Sequence, residues 1–304
     1  MGDEKVTESI YQIDAEVFKI PNFTSAYLIV GEKLALVESG PANSAPRILE
    51  GIRGFGFDPA DISYIIITHI HLDHGGGAGT LLKDMPKAKI VVHEKGAKHM
   101  IDPSKLVNSS KMVFGDLIDE WYGEVLPVDK EKVMPVKDND IIDLGKGQKL
   151  RMIDSPGHAV HHICIYSEKD KGLFTGDAAG VYIPQIDAVV PTTPPPEFDP
   201  DINMRTMKDF LKLDLKRLLF SHFGSVEEVE KTLNISIDLL SKWKGIVEGM
   251  KSEDITIEKI SEKFVADTKK IIGNGVGAET LTKWVLDHHI PMCAAGYYRY
   301  FNKK

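Results

Sequence analysis

The stretch Ile62-Ser63-Tyr64-Ile65-Ile66-Ile67-Thr68-His69-Ile70-His71-Leu72-Asp73-His74-Gly75-Gly76-Gly77 decides how this chain is read. Residues 62 to 68 form a short, dense β-branched run, the pattern of a buried strand. The next six positions carry four side chains able to ligate a metal, and three glycines then let the chain turn tightly at a strand end. His69 and His71 are two apart, so an extended segment projects them to one side. Asp73 continues that parity, and His74 points elsewhere unless the chain turns. One loop thus offers donors to two sub-sites. Imidazoles gathered this densely point to metal ligation more than to a polar surface loop.

Three residues further along extend the set. His158 follows Ser155-Pro156-Gly157, Asp177 closes Phe174-Thr175-Gly176-Asp177, and His222 sits within Leu219-Phe220-Ser221-His222-Phe223-Gly224. Each alone reads as a hydrogen-bonded structural residue. With the first cluster they make five His and two Asp, enough for two metal ions. Imidazole with carboxylate suits Zn²⁺, and also Fe²⁺ or Mn²⁺.

In this order His-x-His-x-Asp-His (69 to 74), Pro-Gly-His (156 to 158), Gly-Asp (176 to 177) and the strand-end His222 resemble the metallo-β-lactamase superfamily of hydrolases, over residues 10 to 224. The resemblance implies an α/β (α+β) fold, a four-layer αββα sandwich with the metals at one edge of its two sheets. It also implies the ligand assignment. One metal takes His69, His71 and His158, the second takes Asp73, His74 and His222, and Asp177 bridges them. Two Zn²⁺ are expected, with Fe or Mn as substitutes. A water between two such cations loses its proton near neutral pH and attacks as hydroxide, and Asp73 orients it as a catalytic residue. One departure is Glu38-Ser39-Gly40, where the family usually has Asp before a small residue and Gly. That position supports the ligands from behind, so a longer carboxylate shifts the support. A solvated strand-end Glu is the competing reading.

Within the family, Asp177 and the helical C-terminal addition resemble the glyoxalase II and lactonase branches. The chain also resembles uncharacterised archaeal and bacterial hydrolases with a Pro-rich loop and helical tail. The implied reaction is hydrolysis of a small-molecule thioester, ester or lactone. Tyr182, five residues after Asp177, matches a lactonase tyrosine that positions the substrate carbonyl. Lys242, Lys244 and Lys251 are basic residues available to hold substrate carboxylates, as in the family's glutathione enzymes. The alternative is a mononuclear-iron oxidoreductase resembling persulfide dioxygenases, which keep nearly the same motifs. Metal type and number separate the two. The flavodiiron branch replaces the second His of the first motif by Glu, whereas here it is His71. True lactamases often use Cys as a ligand, whereas here Asp177 holds the bridging slot. A metal-binding protein without catalysis is a third class. His161 and His162 read as supporting or structural residues, Cys164 as core, and His93, His99, His288 and His289 as residues without a role.

Composition narrows the field. Lys and Arg number 37 against 45 Asp and Glu, a net charge of −8, which argues against a broad nucleic-acid footprint. Two cysteines cannot build a disulfide framework and fit a reducing, cytoplasmic setting. The polar, acidic start shows no secretory pattern, and no apolar run is long enough for a membrane span.

Two domains are expected, a catalytic one over residues 1–224 and a helical one over 225–304. In the first, strands are expected over Ile10 to Ile20, Ser25 to Val30, Leu34 to Val37, Ala88 to Val92, Ile141-Ile142, Leu150 to Ile153, Ile163 to Tyr166, Leu173 to Thr175 and Arg217 to Phe220. Helices are expected over Ser44 to Phe55 and Met204 to Leu213, with residues 95 to 122 helical or irregular. The prolines of Val190 to Phe198 mark a stiff loop at the rim of the active-site cleft. Val226 to Met250, Thr256 to Thr268 and Ala278 to His289 carry helical periodicity. They serve either as a roof supplying substrate contacts or as a homodimer interface.

Overall fold

Alternation in the first third of the chain pairs strands where it predicts them. In the computed structural model, which describes residues 2–115, 117–251, 255–273 and 279–302, Ser25–Val30 and Leu34–Val37 are adjacent antiparallel strands. The chain groups into two compact units, Met1–Asp154 with His161–Gly176, and Ser155–Val160 with Asp177–Lys304. The boundary expected at residue 224 falls inside the second.

The first unit holds a seven-stranded sheet in chain order, β1 (Glu4–Lys5), β2 (Ile10–Asp14), β3 (Ser25–Val30), β4 (Leu34–Val37), β5 (Ile62–Ile66), β6 (Lys89–His93) and β7 (Val133–Val136). Pairing is antiparallel as far as β4 and parallel from there on, so β5 lies between two parallel neighbours. That placement explains its unbroken apolar run. An antiparallel meander follows, β8 (Ile141–Asp143), β9 (Lys149–Asp154), β10 (Ile163–Ser167) and β11 (Gly172–Gly176). Tyr27 on β3 meets Phe174 on β11 with ring centroids 5.2 Å apart, so the two sheets face each other. Helix α1 (Ala45–Gly54) covers the other face of the first sheet, burying Ile48 and Ile52.

One expectation is corrected here. The run Ile10 to Ile20 is not one strand, because Glu16, Phe18 and Lys19 take positive φ and the Asp14 carboxylate accepts from the amides of Glu16 and Asn22. Among the described residues, the span 95 to 122, expected as helical or irregular, holds three helices. The unit's short helices are α2 (Leu72–Gly75), α3 (Ala78–Leu81), α4 (Ala97–Ile101), α5 (Ser104–Phe114) and α6 (Leu117–Tyr122). Strand β7, which contains Pro135, was not among the expected strands. It is an edge strand, where a missing donor is tolerated.

The second unit contains the hairpin β12 (Val181–Ile183) with β13 (Ala188–Val190), helix α7 (Pro200–Phe210), and the pair β14 (Arg217–Phe220) with β15 (Gly224–Val226). Asp199 caps α7, accepting from the amides of Asp201 and Ile202. Helices α8 (Val229–Glu248) and α9 (Ile257–Ile272) follow, then α10 (Glu279–Trp284), which runs through a π turn at Val285–His289 into α11 (Ile290–Asn302). Pairing of Val226 with Leu218 delays the first tail helix to Val229. Ala278, the start of the last expected helix, lies outside the described residues, and the helical run extends to Asn302. Trp243 stacks on Phe264 at 4.2 Å, and the Tyr297 hydroxyl donates to the Leu240 carbonyl at 2.9 Å. Among the described residues no helix is long and apolar enough to cross a membrane.

Candidate metal centre

The loop after β5 is extended only as far as His71. There the chain enters the helical turn α2, and the amides of His74 and Gly75 both donate to the His71 carbonyl. Asp73 therefore does not follow strand parity. The turn sets it beside His74, with Oδ2 3.6 Å from His74 Nε2. His69 Nε2 and His71 Nδ1 face each other at 2.9 Å, the disposition of two donors to one cation. The His69 and His74 rings lie 4.0 Å apart.

Behind them sits Glu38, fully buried in the left-handed region at φ 67°. It is not a solvated strand end. Its Oε1 accepts from Thr68 Oγ1 at 2.6 Å and pairs with His74 Nδ1 at 2.9 Å. Thr68 gives its single hydroxyl hydrogen to that carboxylate, so the His69 Nδ1 at 3.0 Å donates to the hydroxyl. Both imidazoles are thus held with Nδ1 protonated and Nε2 bearing the lone pair, the state a metal requires.

In the second unit one carboxylate serves two imidazoles. Asp177 Oδ2 lies 3.4 Å from His158 Nε2, and Oδ1 lies 3.5 Å from His222 Nε2. His158 and Asp177 are each preceded by a glycine that local geometry requires. A Cβ on Gly157, at φ +127°, would lie 2.4 Å from Asn203 Cα. A Cβ on Gly176, at φ +49°, would lie 2.4 Å from His162 Nε2 and strike Thr68. Helix α7 fixes the neighbouring backbone, since Thr206 donates to Pro156 O and Asn203 donates to Ala178 O.

Tyr182 on β12 neighbours His222 through the backbone, its amide donating to the His222 carbonyl. Its hydroxyl donates to Asp187 Oδ1 at 3.0 Å and its ring stacks on Phe220. Burial, together with the Asp187 carboxylate, pushes the phenol up to about 12. Lys242 pairs with Asp267 and Lys244 with Asp201, so both ammonium groups are already engaged.

Sequence reasoning passed over Thr68, and read His161 and His162 as supporting or structural residues. Both histidines are buried, with ring centroids 6.3 and 4.9 Å from that of His69. Their adjacency to His158 in sequence was the available signal. His93 pairs with Asp154, and Cys164 is core, as expected.

The donors fit a dinuclear metal site by type and number. His69, His71, Asp73 and His74 belong to the first unit, and His158, Asp177 and His222 to the second.

Residues 20–222 match the family model described as the metallo-beta-lactamase superfamily. A metallo-beta-lactamase fold-containing protein of Sulfurisphaera tokodaii is 36% identical over 222 residues, covering 71% of this chain and 79% of that protein. The crystal structure of an archaeal metallo-beta-lactamase superfamily protein from Sulfolobus tokodaii aligns with a TM-score of 0.65 at 31% identity, covering 90% of this chain and 99% of the other. A flavo-diiron protein of Clostridium acetobutylicum is 26% identical over 159 residues, which is 52% of this chain and 34% of that protein.

Proposed function

The chain belongs to the metallo-β-lactamase superfamily, typically metal-dependent hydrolases, and on that premise we propose that it hydrolyses a small-molecule thioester, ester or lactone with two metal ions, Zn²⁺ first among them. The observation that carries this reading is Asp177, whose two oxygens each address a different imidazole. A bridging carboxylate implies two ions. In this reading His69, His71 and His158 hold one, Asp73, His74 and His222 the other. When bound, the ions lower the pKa of water and polarise the scissile carbonyl.

The chain's own residues do the remaining work. Glu38 and Thr68 keep His74 and His69 in the ligating tautomer. Asp73, with a fifth of its side chain exposed, receives the nucleophile's proton and orients it. Tyr182 offers a neutral phenol to the substrate carbonyl. His71 separates this reading from the flavodiiron branch. Two buried cysteines, too few for a disulfide framework, support a cytoplasmic setting.

The test is elemental analysis of metal-replete protein beside a panel of thioesters, lactones and phosphodiesters. Close to two ions per chain, with turnover of an acyl substrate, is expected. A single iron with no acyl hydrolysis would overturn the reading in favour of the dioxygenase-like one.

A further inference from the structure

The segment after β13, expected as a proline-stiffened rim loop, is buried from Pro191 to Pro194. It runs between His158 and the terminal helix. On one side His158 Nδ1 lies 3.3 Å from the Thr192 carbonyl. A carbonyl only accepts, so Nδ1 carries the hydrogen and Nε2, which faces Asp177, presents the lone pair. On the other side the helical run grips the same three residues. His289 Nε2 donates to Pro191 O at 2.8 Å, the Thr193 amide donates to Cys293 Sγ at 3.4 Å, and Thr193 Oγ1 donates to Cys293 O at 3.1 Å. One turn further on, a Cβ on Gly296 would lie 1.8 Å from the Thr193 carbonyl oxygen. Only a residue without a side chain lets helix and segment meet.

We propose that residues 191–193 are a strap through which α11 sets the orientation and tautomer of His158, with Gly296 as the positioning residue. This rests on the reading of His158 as a metal ligand. The helix cannot easily yield to an added methyl, because Tyr297 is buried against Phe264 and Phe198 and tied to Leu240. The strap has no ladder of its own, so it moves, and the Thr192 carbonyl moves with it.

Zn²⁺ affinity measured by chelator competition, with the visible spectrum of the Co²⁺-loaded protein, tests the strap. Gly296→Ala is expected to weaken one of the two ions about 10- to 100-fold, the usual cost of losing an orienting partner, and to shift the Co²⁺ band. Thr193→Val, which removes one strap bond without adding bulk, should move both readouts the same way by less. Gly245→Ala on α8, where an added Cβ meets nothing within 4 Å, should leave both unchanged. Wild-type affinity and spectrum in Gly296→Ala would overturn the proposal. Should that variant not fold, the same result in Thr193→Val would do so. His158→Ala separates the two levels. If it keeps full metal content, the ligand reading itself fails. If it loses an ion while both strap variants behave as wild type, only the strap fails.

Discussion

Two regions supply the donors by opposite means. Residues 69 to 74 deliver four from one strand end and one helical turn, with Glu38 and Thr68 directly behind. His158, Asp177 and His222 come from three separate places, each at the end of a different segment, with α7 and the strap holding the backbone around them. Geometry in the first region is set by side chains that touch the imidazoles themselves, Thr68 beside His69 and Glu38 beside His74. In the second it is set by helices far along the chain. Substitutions distant from the site should therefore spare the first region and reach the second, as argued for Gly296.

The largest expected effect lies in the local region. On the proposed reading Asp73→Ala removes a donor and the group that handles the proton, and should lower kcat/KM by about 10²-fold or more in a folded protein. Steady-state kinetics beside a thermal melt checks this, and wild-type turnover would make Asp73 peripheral. Next in size is Glu38→Gln. The amide keeps the shape but loses the charge that faces His74 Nδ1, so Zn²⁺ affinity should fall about 10-fold, with unfolding of the metal-free protein much less affected. An unchanged affinity would show that the local region holds its imidazoles without a buried carboxylate.

The same contrast governs what the sequence revealed. The His69-to-His74 motif was legible because its spacing is short and its chemistry dense. The other donors became legible only in sum, when Pro-Gly-His, Gly-Asp and the strand-end His222 are taken together with the first cluster. Strands β3 and β4 were read to the residue from alternation. Hairpin β12–β13 and strand β15 were not, since three-residue strands carry too little pattern. Asp73 escaped strand parity because a helical turn begins one residue earlier, and the strap escaped notice because prolines look alike whether buried or exposed.

A smaller effect sharpens the comparison by separating stability from the site. Burial raises the Asp170 carboxyl, but hydrogen bonds from Ser167, Thr7, Gln148 and Ser9 outweigh it and hold the group below the usual carboxylate range. A depressed folded-state pKa contributes stability that is present above the unfolded value and lost as pH falls through the folded one. Asp170→Asn should cost about 1–2 kcal/mol near pH 7, and the cost should shrink as pH falls below the usual carboxylate range, read by urea unfolding. Metal affinity should not change. A matching loss of affinity would mean that the first region is less local than its bonds indicate.

The smallest effect tests whether the dispersed region contributes more than ligands. Tyr182 is tied to His222 through the backbone, yet its hydroxyl is given to Asp187. A substrate carbonyl must win the phenol from that carboxylate. Tyr182→Phe should then raise KM about two- to tenfold, the worth of one hydrogen bond, while Asp187→Ala frees the phenol and lowers KM. With the phenol held up to about 12, it stays protonated across the working range, so the Tyr182→Phe ratio should be the same at pH 6 and pH 9. A ratio that titrates between those values would assign the effect to another group. Opposite signs in the two single variants, with Asp187→Ala losing its effect in the Tyr182→Phe background, would place the phenol on the substrate. If neither variant moves KM, the tyrosine only packs on Phe220, and the second region supplies three ligands and nothing more.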